Sequence, residues 1–106
     1  LPSRYEGMSN AGLEAMERGQ AMLISRCGGL DTYIEPNMGW IVVPEDAAGL
    51  ATTMQSALDA SIETIADMGT RNRTFASQQF GLRQVASRYL TLFESLIAAT
   101  PGRQAA

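Results

Sequence analysis

An α/β fold built on a parallel sheet is the class this sequence predicts. Two short apolar runs, 21–25 and 39–43, have the length and composition of buried parallel strands. Segments of helical pattern precede, separate and follow them. Two strands and the end of a third make a small sheet. The sequence therefore reads as the C-terminal half of a doubly wound domain, without its first β-α-β units.

The elements follow in order. Leu1 to Ser3 reads as a strand end, and the polar stretch Arg4 to Ser9, with Gly7, as a loop. Asn10 is the expected N-cap of a helix reaching about Arg18, because Ala11, Leu13, Glu14, Ala15, Met16 and Glu17 are mostly good helix formers. Gly19 supplies its stop. Ala21 to Ser25 is the first full strand, Cys27-Gly28-Gly29 a turn, and Leu30 to Ile34 a short helix ended by Pro36. Gly39 to Val43 is the second strand, closed by Pro44. Asp46 caps a helix expected to bury Leu50, Met54, Ala57 and Leu58. Ser61 caps another, with Ile62, Ile65, Ala66 and Phe75 on one side and Gly69 as a weak point. The last helix carries a continuous apolar stripe of Leu82, Val85, Ala86, Tyr89, Leu92, Phe93, Leu96 and Ile97. That stripe reads as a core or domain-bridging face. Its polar side offers only Arg83 and Arg88 against Glu94, a poor membrane-binding surface. Residues 1–99 are expected to form the structured part and 100–106 a flexible tail.

Composition narrows the function. The 106 residues fit one small domain or a piece of one, and the apolar fraction of 45% is that of a globular protein. Eight basic and eleven acidic residues are mixed along the chain for a net charge of −3, which speaks against nucleic acid as a partner. The absence of histidine excludes His-based metal sites and Ser-His-Asp triads within these residues. Cys27 has no cysteine to pair with, which suits a reducing compartment. The expected location is the cytoplasm, with a peripheral place at the inner membrane face as the alternative.

The segment Pro2 to Met16 carries the chemistry. A strand ends, a loop with one glycine follows, and a helix begins. In open α/β sheets, ligands bind beyond the carboxyl ends of the strands, and the free N–H groups of a helix start suit phosphate. Glu6 falls in the loop and Glu14 about one turn into the helix. Carboxylates beside a phosphate site repel phosphate but accept hydrogen bonds from hydroxyls. A diphosphate with a polyol at each end fits this pattern, as in a nucleotide diphosphate sugar.

Glu6-Gly7-Met8-Ser9-Asn10-Ala11-Gly12-Leu13-Glu14 resembles the motif of glycosyltransferase family 4 and its GT-B relatives, in which seven residues separate two glutamates. The likeness continues in register. Gly19 to Ser25 resembles the family's Gly-x-Pro-Val-Val-Ala-Ser strand, and Cys27 to Leu30 its Gly-Gly turn. Gly39 to Asp46 resembles Gly-x-Leu-Val-Pro-x-x-Asp, and Phe80 to Tyr89 the terminal Phe-Ser-Trp region. The sequence departs from the pattern at Gln20-Ala21 and at Asp31-Thr32, where the family commonly has proline and Pro-Glu.

The resemblance implies a Rossmann-like, GT-B donor-binding domain of a retaining hexosyltransferase with no metal or other cofactor. Glu6, the candidate catalytic residue, would contact the donor hexose. Gly7, Met8, Ser9, Asn10 and Ala11 would line the sugar and diphosphate, and Glu14 would hold the ribose. The phosphate-binding Arg and Lys and the acceptor domain, with its glycan or lipid-linked acceptor, would belong to sequence before Leu1. In GT-B enzymes the last helix crosses to the other domain. The alternative is a truncated, non-catalytic nucleotide-sugar-binding or interaction module, prone to self-association through an exposed strand edge.

Overall fold

A computed structural model of the chain describes residues 1–100. Helix α1, Asn10–Glu17, leads into strand β1, Met22–Ser25. A 3₁₀ turn, Leu30–Tyr33, precedes strand β2, Gly39–Val42. Helices α2, Ala47–Asp59, α3, Ile62–Phe80, and α4, Leu82–Ala98, complete the order. The strands pair in parallel, Met22 opposite Gly39 and Ser25 opposite Val42. Leu1 lies along the free side of β1: its N–H donates to Leu23 O at 2.8 Å and its carbonyl accepts from Ser25 N at 3.2 Å. That is one rung of a parallel ladder, as expected for a strand end.

Local chemistry sets the helix ends. Ser9 caps α1 by accepting from Gly12 N at 3.1 Å, so the cap sits one residue before the predicted Asn10, which is already helical. At the other end Gly19 adopts φ 72°, and its N–H bonds Met16 O while Gln20 N bonds Ala15 O. This pair of bonds is a Schellman stop, which favours glycine at the left-handed position. Asp46 and Ser61 cap α2 and α3 as predicted, each accepting from the N–H three residues on.

The core lies between α1, β1, the 3₁₀ turn and α3. Met16, Met22, Ile24, Leu30, Ile34 and Met38 are buried together, with Ala76 of α3 closing the side. Tyr33, Phe75 and Phe80 stack mutually at centroid separations of 5.6 to 5.9 Å and tie the 3₁₀ turn to the end of α3. Gly69 is buried, and a Cβ there would overlap Gly19 O. The glycine expected to weaken α3 is what lets that helix touch the turn after α1. Asn72, fully buried, donates from Nδ2 to Gln20 O at 2.7 Å and to Met38 O at 2.8 Å.

Three burial expectations are corrected. Helix α2 has no buried residue: Met54 is 51% and Leu58 78% exposed. Its periodicity marked an apolar face, but little packs on it besides β2. Ile62 is 85% exposed, because α3 makes its contacts from Met68 onward. The α4 stripe is exposed except at half-buried Val85, with Phe93 at 54% and Ile97 at 73%, so of its two expected roles, core or domain-bridging face, the first does not hold here. Gly81 in extended conformation breaks α3 from α4, and Arg88 fixes the break by donating to Gln79 O at 2.9 Å. The radius of gyration, 18.4 Å, exceeds the roughly 13 Å of a compact domain this size because α4 projects. Thr100 bonds back to Ile97 O, and the rest of the expected tail, 101–106, lies outside the described residues.

Asn72→Ala removes the side-chain donor that Gln20 O and Met38 O share, leaving Met38 O only its bond from Met22 N. It is expected to destabilise the fold by about 2–3 kcal/mol, seen as a lower urea midpoint at unchanged m-value.

Candidate functional site

The carboxyl end of the sheet and the start of α1 bring the predicted site residues together. The loop from Arg4 to Met8 leaves the Leu1 rung and turns into α1. Glu6 is half-buried and accepts from Ser3 Oγ at 3.0 Å. Gly7, Met8, Asn10 and Ala11 are exposed, whereas Ser9 is buried in its capping role. Among the described residues, the N–H groups of Gly7 to Ala11 make no hydrogen bond within the chain, as a helix start requires if it is to serve a ligand. Their partial positive charge adds to that of the helix dipole.

Two glycines shape this loop from beneath. A Cβ on Gly29 would overlap Gly7 O and lie 3.0 Å from Glu6 O, so the turn after β1 presses directly on the loop backbone. A Cβ on Gly12 would overlap Leu30 Cδ2, so the first turn of α1 rests on the same segment. Asp31 holds that turn: its buried carboxylate accepts from Gly29 N at 2.8 Å, with Cys27 Sγ 3.8 Å away. The acidic residue that departs from the family's Pro-Glu thus stays structural. Gly7 itself differs. Its φ is not positive and a Cβ would meet nothing within 4 Å, so no contact inside the chain requires glycine there.

Glu14 lies on the exposed face of α1, with Asn10 one turn before it. Both border a groove of about 360 Å³ whose other side is formed by Arg73, Ser77, Phe80 and Leu82. Glu14 pairs with Arg18 at 3.8 Å, an exposed i, i+4 contact of only about 0.3–0.5 kcal/mol, which a hydroxyl can displace. Arg73 donates to Glu17 O at 3.2 Å and Arg18 O at 3.1 Å, a cation at the negative end of α1. Arg4 is engaged by Glu45 at 3.1 Å, and Glu45 is a non-glycine residue held at φ 61°. Among the described residues no three His, Cys, Asp or Glu side chains converge as a metal site would need.

A small parallel sheet flanked by helices, with an unbonded helix start at its carboxyl end, defines a Rossmann-like α/β fold. The family model for glycosyl transferases group 1 matches residues 1–60, and the chain belongs to that family. It is 31% identical over 100 residues to an MMP alpha-(1->4)-mannosyltransferase of Mycolicibacterium hassiacum, a match covering 92% of this chain and 24% of that protein. It is 40% identical over 60 residues to a glycogen synthase of Mycobacterium tuberculosis, covering 56% of this chain and 14% of that one. The sucrose-phosphate synthase structure from Thermosynechococcus elongatus superposes with a TM-score of 0.83 at 31% identity, over 93% of this chain and 25% of that chain. The chain therefore spans about a quarter of the mannosyltransferase and of the synthase structure, and has the GT-B donor-domain fold. No helix among the described residues is long and apolar enough to cross a membrane.

The sequence did not single out Ser3, Ser25 or Asn72, and it marked Asp31 only as a departure from the family pattern. Only the short spacings Ser3–Glu6 and Gly29–Asp31 carried a local sign of their bonds. The glycines separate by substitution. Gly29→Ala is expected to lower the melting temperature by several degrees, while Gly7→Ala changes stability by no more than about 0.5 kcal/mol. Thermal unfolding of the two variants side by side checks this.

Proposed function

We propose that this chain is the C-terminal part of the donor-binding domain of a retaining hexosyltransferase that uses a nucleotide diphosphate sugar. The observation that carries the proposal is the start of α1: unbonded amides from Gly7 to Ala11, flanked by Glu6 and Glu14, within the region matched by the family model. Glu6 accepts hydrogen bonds from the donor hexose. The amides of Gly7, Met8, Ser9, Asn10 and Ala11 face the sugar and diphosphate. Glu14 exchanges Arg18 for the ribose hydroxyls. The relatives' names speak of mannosyl transfer, glycogen synthesis and sucrose-phosphate synthesis, and a hexosyl donor is carried over from them.

The chemistry asks little of side chains in this reading. The bond from the anomeric carbon to the diphosphate breaks, the acceptor oxygen bonds that carbon from the same face, and the departing diphosphate takes the acceptor's proton. The protein positions the donor and stabilises the negative charge growing on the leaving group. Amides fixed at a helix start do this without reorganising. No metal or other cofactor enters the scheme. A glycan or lipid-linked acceptor would be bound by a further domain.

In the full-length protein, Glu6→Ala and Glu14→Ala are each expected to lower transfer about a hundredfold or more, with melting temperature unchanged. Near-normal turnover in both variants overturns the proposal.

The exposed α4 stripe favours a second reading for the chain on its own, as an interaction module that associates through α4 or the β2 edge. The isolated 106-residue chain is expected to give no heat with UDP-glucose or GDP-mannose and to self-associate. Calorimetry combined with light scattering checks it, and a monomer that binds either sugar nucleotide overturns this second reading.

A further inference from the structure

We infer that Ser3 is a positioning residue for Glu6, itself held by Ser25, so that the donor-facing carboxylate is tied to the sheet through two hydrogen bonds. The inference rests on the donor-site reading of Glu6. Ser25 ends β1 and is 1% exposed. Its Oγ donates to the carbonyl of Ser3, which fixes the chain just beyond the Leu1 rung. Ser3 Oγ then donates to Glu6 Oε1 at 3.0 Å. Ser25 Oγ also lies 3.5 Å from Leu1 O, and the carbonyl of Ser3 is its nearer acceptor.

Around Glu6 the loop has little else to hold it. Tyr5 is 88% exposed, Gly7 is exposed, and among the described residues Ser3 is the only hydrogen-bond donor to the Glu6 carboxylate. A free glutamate on such a loop would lose its side-chain freedom when a sugar binds. One already fixed at Oε1 loses less, and keeps Oε2 and the remaining lone pairs for hydroxyls. The backbone beneath Glu6 is set by Gly29, and the side chain by Ser3. The two constraints are independent, so the serine can be removed without moving the loop.

The test is a double-mutant cycle in the full-length protein. The probe is whichever of UDP-glucose, ADP-glucose and GDP-mannose gives the fastest nucleotide release. Ser3→Ala is expected to lower kcat/KM about tenfold, the scale of one hydrogen bond to a charged group, with the melting temperature unchanged. Ser3→Thr, which keeps the hydroxyl, restores most of the loss. In a Glu6→Ala background, Ser3→Ala costs little more, because the acceptor it positions is gone. Additive losses, or wild-type turnover in Ser3→Ala, overturn the assignment. Wild-type turnover in Glu6→Ala removes the donor-site reading itself, and this inference with it.

Discussion

Two carbonyl oxygens at the amino ends of the strands, Gln20 O and Met38 O, share one buried donor, the side-chain amide of Asn72. The sheet depends on that amide because it is too small to bury its own ends. Met38 O also accepts from Met22 N at 3.3 Å, so the same bonds that hold α3 in place also fix where the strands begin to pair. Gly69, one turn earlier on α3, lets the helix come close enough for the amide to reach. Asn72 Oδ1 has no partner among the described residues, a desolvation cost that the two strong donations must outweigh. The amino end of the sheet is thus a fixed structural end.

The carboxyl end is built differently. There the chain avoids side-chain bulk: Gly29 lets the turn after β1 meet the backbone of the loop before α1, and Gly12 lets the Leu30 side chain seat against the first turn of α1. The contact at Gly29 is stiff, because main chain cannot change rotamer. The loop carrying Glu6 and the helix carrying Glu14 are therefore set by the same support. The N–H groups between them stay unbonded because nothing among the described residues reaches them. Holding the sheet at one end and leaving donors free at the other is the physical form that a ligand site takes in open α/β folds.

Much of this was legible in the sequence, and the parts that were not share a cause. Caps depend on residues a few positions apart, so Asp46 and Ser61 were readable, and the shift from Asn10 to Ser9 reflects two good capping residues side by side. Strand positions followed from short apolar runs. What failed was burial. Periodicity shows that Met54 and Leu58, or Tyr89 and Phe93, share a helix face, but not whether anything covers it. Asn72 and Gly69 failed in the opposite sense. A polar residue and a glycine inside a helix look like surface and weakness, and their value comes from partners 34 and 52 positions away in the case of Asn72. The Glu6–Glu14 spacing could be read as a motif because it is local, whereas the support beneath the two residues required the fold.

The two glutamates are also unequal in a way that spacing does not reveal. Glu6 is half-buried and bonded to a serine anchored on the sheet. Glu14 is exposed and pairs only with Arg18, at a distance where the pair adds little stability. A carboxylate that touches the reacting sugar gains from being fixed beforehand, because misplacement there is felt directly in the barrier. One that holds a remote hydroxyl contributes binding and tolerates adjustment as the ligand arrives. The firm carboxylate in the loop and the loose one on the helix fit the division proposed above, in which Glu6 takes the hexose and Glu14 the ribose.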